Sequence, residues 1–142
     1  DEVREKRGLT YGIGTYLVPM NLAETWQGSF SSANEKVAEA IAVVREVWSD
    51  VATNGVTEGE LEAAKTYLTG SYPLRFDGNG RIAGILVGMM AEGLPVSYVN
   101  DRNGYVEAVT LDDVKRVAKR LMMPDALRFV VVGRPVGLAT TN

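Results

Sequence analysis

Two residues near the start of the chain have types and spacing that could do chemistry, Arg4 and Tyr11. They belong to the run Arg4-Glu5-Lys6-Arg7-Gly8-Leu9-Thr10-Tyr11-Gly12-Ile13-Gly14. A guanidinium and a phenol together offer several hydrogen-bond donors, suited to a carbonyl or a developing oxyanion. The counterweight is an absence: the 142 residues contain no histidine and no cysteine. That removes imidazole and thiolate metal ligands, thiol nucleophiles and the usual base of a serine nucleophile.

The elements around the two residues must bring them together. Arg4, Lys6 and Arg7 suit the negative end of a helix dipole, and Gly8 suits the left-handed residue that closes a helix. No N-cap precedes them, so the helix is expected to begin before Asp1 and the chain to be an N-terminally truncated fragment. Leu9 to Val18 is rich in β-branched and aromatic residues and reads as a strand. Arg4 then lies about 6 Å back along the helix axis. Tyr11 lies about 6–7 Å up the returning strand. A reversal at Gly8 brings both to one side of an edge. The bland alternative is an arginine that complements the dipole and a tyrosine that packs with a wet hydroxyl.

Further along, Pro19-Met20-Asn21 is a loop signal, and Thr25 to Ser31 is a second strand carrying Trp26 and Phe30. Ser32-Ala33-Asn34-Glu35 fits a capping box. It precedes a helix with Val37, Ile41, Val44, Trp48 and Val51 on one stripe. Asn54-Gly55 stops that helix. Thr57-Glu58-Gly59-Glu60 opens another, which runs toward Tyr72 and ends at Pro73. After a turn at Asp77-Gly78-Asn79-Gly80, a third helix carries Ile82, Ile85, Leu86, Met89 and Met90, closed by Gly93 and Pro95. Val96 to Val109 is mixed, with a short helix around Val99. Thr110-Leu111-Asp112-Asp113 caps a last helix that stops at Pro124. Leu127 to Val132 reads as a strand buried on nearly both faces.

The order predicts an α+β fold, a mainly antiparallel sheet with helices packed on one face. One domain is expected over residues 1–135, with a loose tail over 136–142. Hydrophobic residues at 46% and charged residues at 23% are ordinary globular values. A formal net charge of −3 gives no footing for nucleic acid. No apolar run reaches the length of a membrane span. The other acidic groups carry little. Asp112 and Asp113 read as a capping pair, Glu58, Glu60 and Glu62 as dipole-compensating charges, and the turn at Asp77 lacks the spaced ligands of a calcium loop. Gly12-Ile13-Gly14 continues to Leu17, so it is no dinucleotide fingerprint.

The opening run resembles the corresponding segment of the insulinase or pitrilysin family of zinc peptidases, which includes the processing peptidases. The family's R-x-x-x-x-x-x-Y pair matches Arg4 and Tyr11, and the K-R-G-L-T-Y context is kept. The similarity extends through Gly28-Ser29-Phe30, the T-x-x-E-L-x-x-A-K segment from Thr57 to Lys65, and the final Phe129-Val130-Val131-Val132-Gly133. It covers about Val3 to Gly133.

The resemblance implies one of two homologous halves. The other half would carry an H-x-x-E-H zinc site, and a histidine-free chain fits the zinc-less C-terminal half. It further implies zinc-assisted peptide hydrolysis in which metal-bound water, helped by a glutamate of the other half, attacks the scissile carbonyl. Tyr11 would donate to the carbonyl oxygen and Arg4 would bind substrate. The expected partners are the zinc-binding half, on the same polypeptide or a separate subunit, and a peptide substrate. Nucleic acid and membrane are not expected, and self-association of the fragment through bared apolar surface is. The residues fix no compartment; a periplasmic one would suit a bacterial member. The rival reading is a structural or interaction subunit of the same family without proteolytic activity. A ferredoxin-like nucleic-acid or small-molecule binding module is a third, disfavoured by the acidic balance and the long helices.

Overall fold

The computed structural model describes residues 2–20 and 22–139. It is α+β: a π-helical turn (Glu2–Lys6), strands β1 (Ile13–Val18) and β2 (Thr25–Phe30), then helices α1 (Val37–Asn54), α2 (Glu58–Ser71), α3 (Asn79–Ala91), α4 (Tyr98–Glu107) and α5 (Leu111–Leu121). Two compact units emerge: Asp1–Asn54 with Lys119–Asn142, and Gly55–Ala118. The expected loop at Pro19-Met20-Asn21 and the tail over 136–142 fall partly outside the described residues.

In the first unit β1 and β2 form an antiparallel pair, with Ile13 opposite Phe30 and Val18 opposite Thr25. Gly28 faces Thr15 across the ladder. A Cβ there would stand 3.1 Å from the Gly14 carbonyl oxygen and from Thr15 Cγ2, so a side chain at this position would press its neighbours aside by a few tenths of an ångström. The core is small. Val3 from the π turn and Leu9 meet Ala40 and Val43 of α1, with Phe30, Val44 and Val47 against them. Burying a valine or leucine this fully stabilises by about 1.5–3 kcal/mol. Trp26 of β2 also meets Trp48 of α1, ring centroids 4.6 Å apart.

Several expectations need correction. The first strand begins at Ile13 and not at Leu9, because Thr10 spends its side chain on a turn (below). Ser32-Ala33-Asn34-Glu35 is no capping box. The Ser32 hydroxyl donates to the Leu9 carbonyl at 2.7 Å. A backbone turn, with Lys36 and Val37 N–H groups donating to the Ala33 carbonyl, leads into α1 instead. Leu127 to Val132 joins no ladder among the described residues, where the sheet has two strands. Its burial alternates: Leu127 and Phe129 are half-buried, while Val130 and Val132 are 93% and 96% exposed. The segment has the period of a strand with one bare apolar face.

In the second unit the Thr57 box forms as expected: the Glu60 N–H donates to the Thr57 hydroxyl, and the Thr57 N–H donates to the Glu60 carboxylate. The residues around Val99 make a ten-residue helix, longer than their composition suggests. The Arg102 guanidinium and Asn103 amide donate to the Leu68 and Thr69 carbonyls, among the last of α2, at 3.1 and 3.2 Å. Those carbonyls lie where a helix end leaves acceptors unfilled. Thr110 and Asp113 box the start of α5 in the same manner as Thr57 and Glu60. Among the described residues no helix is long and apolar enough to cross a membrane.

Candidate functional site

The opening turn is built from its closing bonds. The Gly8 N–H donates to the Arg4 carbonyl at 3.1 Å, and the Leu9 N–H to the Val3 carbonyl at 2.9 Å. These enclose one residue more than the usual glycine-closed helix end, as a π-helical turn requires. Gly8 has φ +58°, the left-handed conformation that L side chains resist. Val3 is the residue this turn buries, and it anchors the turn on α1.

Beyond Gly8 the chain is held by side chains that the sequence pattern did not single out. Thr10 is 9% exposed. Its hydroxyl oxygen lies 2.7 Å from the Ser31 carbonyl and 2.9 Å from that of Gly12, and it accepts from the Gly12 N–H at 3.2 Å. Ser32 holds the Leu9 carbonyl, and Lys36 donates to the Gly8 carbonyl at 3.3 Å. Arg7 pairs with Glu46 of α1 at 3.4 Å. Residues 7 to 12 are thus fixed to the end of β2, to the entry of α1 and to α1 itself. Local spacing could not reveal this, since Ser31 and Ser32, which bond Thr10 and Leu9, lie more than twenty residues away.

On that base sit the two candidate residues. Tyr11 occupies a bend before β1, not a position within it, and is fully exposed at 102%. Its hydroxyl has no hydrogen-bond partner among the described residues. The Arg4 guanidinium is bound to the Glu5 carboxylate at 2.5 Å, both side chains more than half exposed. Arg4 holds the Glu5 carboxyl below its ordinary range, by the hydrogen bond first and by charge second. An exposed pair of adjacent residues is worth little and readily exchanges for another carboxylate or a carbonyl. No described hydrogen bond joins Arg4 to Tyr11. Both residues leave one closed turn, but as separate donors.

Nothing here suits a metal. With no histidine or cysteine in the chain, only carboxylates could serve. Among the described residues no group of three or more is placed to hold an ion. Three of the acidic residues singled out earlier have other partners. Glu60 and Asp113 close capping boxes, and Glu62 pairs with Lys65 at 3.2 Å.

Residues 1–68 match the family described as the peptidase M16 inactive domain. The chain is 30% identical over 125 residues to an uncharacterized zinc protease of Streptomyces coelicolor, which covers 85% of this chain and 26% of that protein. It is 26% identical over 136 residues to the chloroplastic stromal processing peptidase of Pisum sativum, covering 92% of this chain and 11% of that protein. Among solved structures it resembles a peptidase M16 inactive domain from Pseudomonas fluorescens, with a TM-score of 0.75 and 32% identity over 87% of this chain and 29% of that one. The chain therefore spans about a quarter of the first relative's length.

Proposed function

We propose, from the match of residues 1–68 to the peptidase M16 inactive domain and the likeness to zinc proteases, that this chain is the substrate-holding, non-catalytic half of a zinc metalloendopeptidase. The observation that carries the reading is the turn itself. An arginine and an unpartnered, fully exposed tyrosine hydroxyl leave a closed π-helical end that Thr10, Ser32 and Lys36 hold in place. Holding the backbone beneath the two donors before substrate arrives reduces the reorganisation they need to stabilise developing charge. In this reading the Tyr11 hydroxyl donates to the carbonyl oxygen of the bond to be cut. Arg4 releases Glu5 and takes a substrate backbone carbonyl or carboxylate.

The zinc chemistry belongs to the partner half, because among the described residues no group of three or more is placed to hold the ion. The partner half, a peptide substrate and the oxyanion role of Tyr11 form one proposal. The bare apolar edge at Val130 and Val132 supports the presence of a covering partner, since contiguous exposed apolar surface commonly marks an interface.

The test is cleavage of an unstructured quenched-fluorescent peptide by the complete protein, with and without a zinc chelator. Cleavage that the chelator abolishes, and that is absent from this chain alone, is expected. No cleavage across a varied peptide set would shift the reading to a structural subunit of the same family.

A further inference from the structure

The second unit holds an open cleft of about 220 Å³, lined by Tyr67, Leu68, Ser71 and Tyr72 of the α2 end, Arg75 just beyond it, and Arg102 of α4. Tyr72 is buried and carries the Arg102 guanidinium over its ring, 4.4 Å from the centroid. Tyr67, by contrast, is 73% exposed and offers an aromatic wall. Arg102 is fixed by Nη1, which donates to the Leu68 carbonyl at 3.1 Å and to Asn103 Oδ1 at 3.2 Å. A guanidinium has five N–H groups, so after these two the Nε–H and the two on Nη2 remain. Arg75 makes no side-chain hydrogen bond among the described residues. None of the described ion pairs involves either arginine.

Two arginines in one cleft without a carboxylate partner repel each other and favour an anion between them. One is oriented in advance by stacking and by bonds to a helix end, which lowers the ordering cost of a ligand. The planar fork of a guanidinium matches a carboxylate through paired N–H donors. The aromatic wall suits a ligand whose carboxylate sits beside a flat or apolar group.

We propose that this cleft binds a carboxylate, with Arg75 and Arg102 as its donors and Tyr67 as the wall for the group that bears it. The site is independent of the Arg4–Tyr11 turn, and its failure would leave the reading of that turn untouched.

Isothermal titration calorimetry of the whole chain tests it with three probes. Acetyl-Tyr-Glu-amide carries a side-chain carboxylate. Acetyl-Tyr-Ala carries a terminal one. Acetyl-Tyr-Gln-amide carries none. Saturable binding of at least one acidic probe is expected, about tenfold or more tighter than the Gln probe, the scale of one charge-assisted hydrogen bond. Whichever acidic probe binds more tightly identifies the source of the carboxylate. Arg75→Gln, at an exposed position that should fold normally by circular dichroism, should weaken it about tenfold. Arg102→Gln should weaken it further, and its fold is checked in the same way because Arg102 also ties α4 to α2. Affinity of both acidic probes no greater than that of the Gln probe, no saturable binding, or indifference to Arg75→Gln would each overturn the proposal.

Discussion

Replacing Thr10 by valine keeps the shape of the side chain and removes only the hydroxyl. The consequences follow from the turn. The Ser31 carbonyl loses a bond of 2.7 Å, and the Gly12 N–H loses the acceptor it reaches at 3.2 Å. An unsatisfied buried polar group costs about 1–3 kcal/mol. This site is only partly buried, so the low end applies to each group and the expected loss is about 2 kcal/mol. For a urea slope of about 2 kcal/mol per molar, that moves the unfolding midpoint down by about 1 M. Both tryptophans of the chain, Trp26 and Trp48, belong to the same compact unit as Thr10 and touch each other. Tryptophan fluorescence therefore follows the unit in question. Thr10→Ser is the control: it retains the hydroxyl and should lose about 1 kcal/mol or less for one methyl group. A Thr10→Val midpoint equal to wild type would refute the claim that this hydroxyl locks the turn beneath Tyr11.

Other changes have equally definite outcomes. Gly8→Ala should cost about 1–2 kcal/mol by urea melting, since φ +58° opposes a Cβ even though open space surrounds it. Thr57→Ala should cost about 1 kcal/mol of α2 stability through loss of its N-cap, read by amide exchange of the first turn. The pH dependence centres on Asp113, whose carboxyl falls from 3.8 to about 2 through hydrogen bonds from the Thr110 hydroxyl, from Arg116 and from the Thr110 N–H. A lowered folded value means that the stabilisation is complete above the unfolded value of 3.8 and is lost as pH falls through about 2. Asp113→Asn should flatten the acid unfolding curve in that window; an unchanged curve would argue against the capping box.

Local signals made much of the helical structure legible. The stripe from Val37 to Val51, the Thr57 and Thr110 boxes and the Gly8 stop all rest on residues within one or two turns of each other. Three features depended on distant partners: two were not legible, and of the third, the helix expected around Val99, only the length was missed. Ser32 looked like an N-cap, but its hydroxyl is taken by Leu9. The helix from Tyr98 to Glu107 contains Asn100, Asp101, Asn103 and Gly104, weak helix formers. Bonds from Arg102 and Asn103 to α2 help compensate for that weakness. Leu127 to Val132 has the composition of a strand, yet composition cannot supply the neighbour that a ladder needs.

The candidate site was legible in part. Arg4 and Tyr11 flank the turn that Gly8 was expected to make, which the sequence could indicate. The π-helical widening, the bend at Tyr11 and the anchoring by Thr10, Ser32 and Lys36 arise from contacts across the unit. Periodicity does not encode them.

In the proposed function the exposed Tyr11 hydroxyl serves the transition state. Single-turnover cleavage by the complete protein, wild type against Tyr11→Phe, tests it most directly. Because Tyr11 is fully exposed, folding should be untouched. A fall of about 10²–10³ in the chemical step is expected, with little change in peptide affinity. Chelator-sensitive cleavage at an undiminished rate in Tyr11→Phe would contradict it.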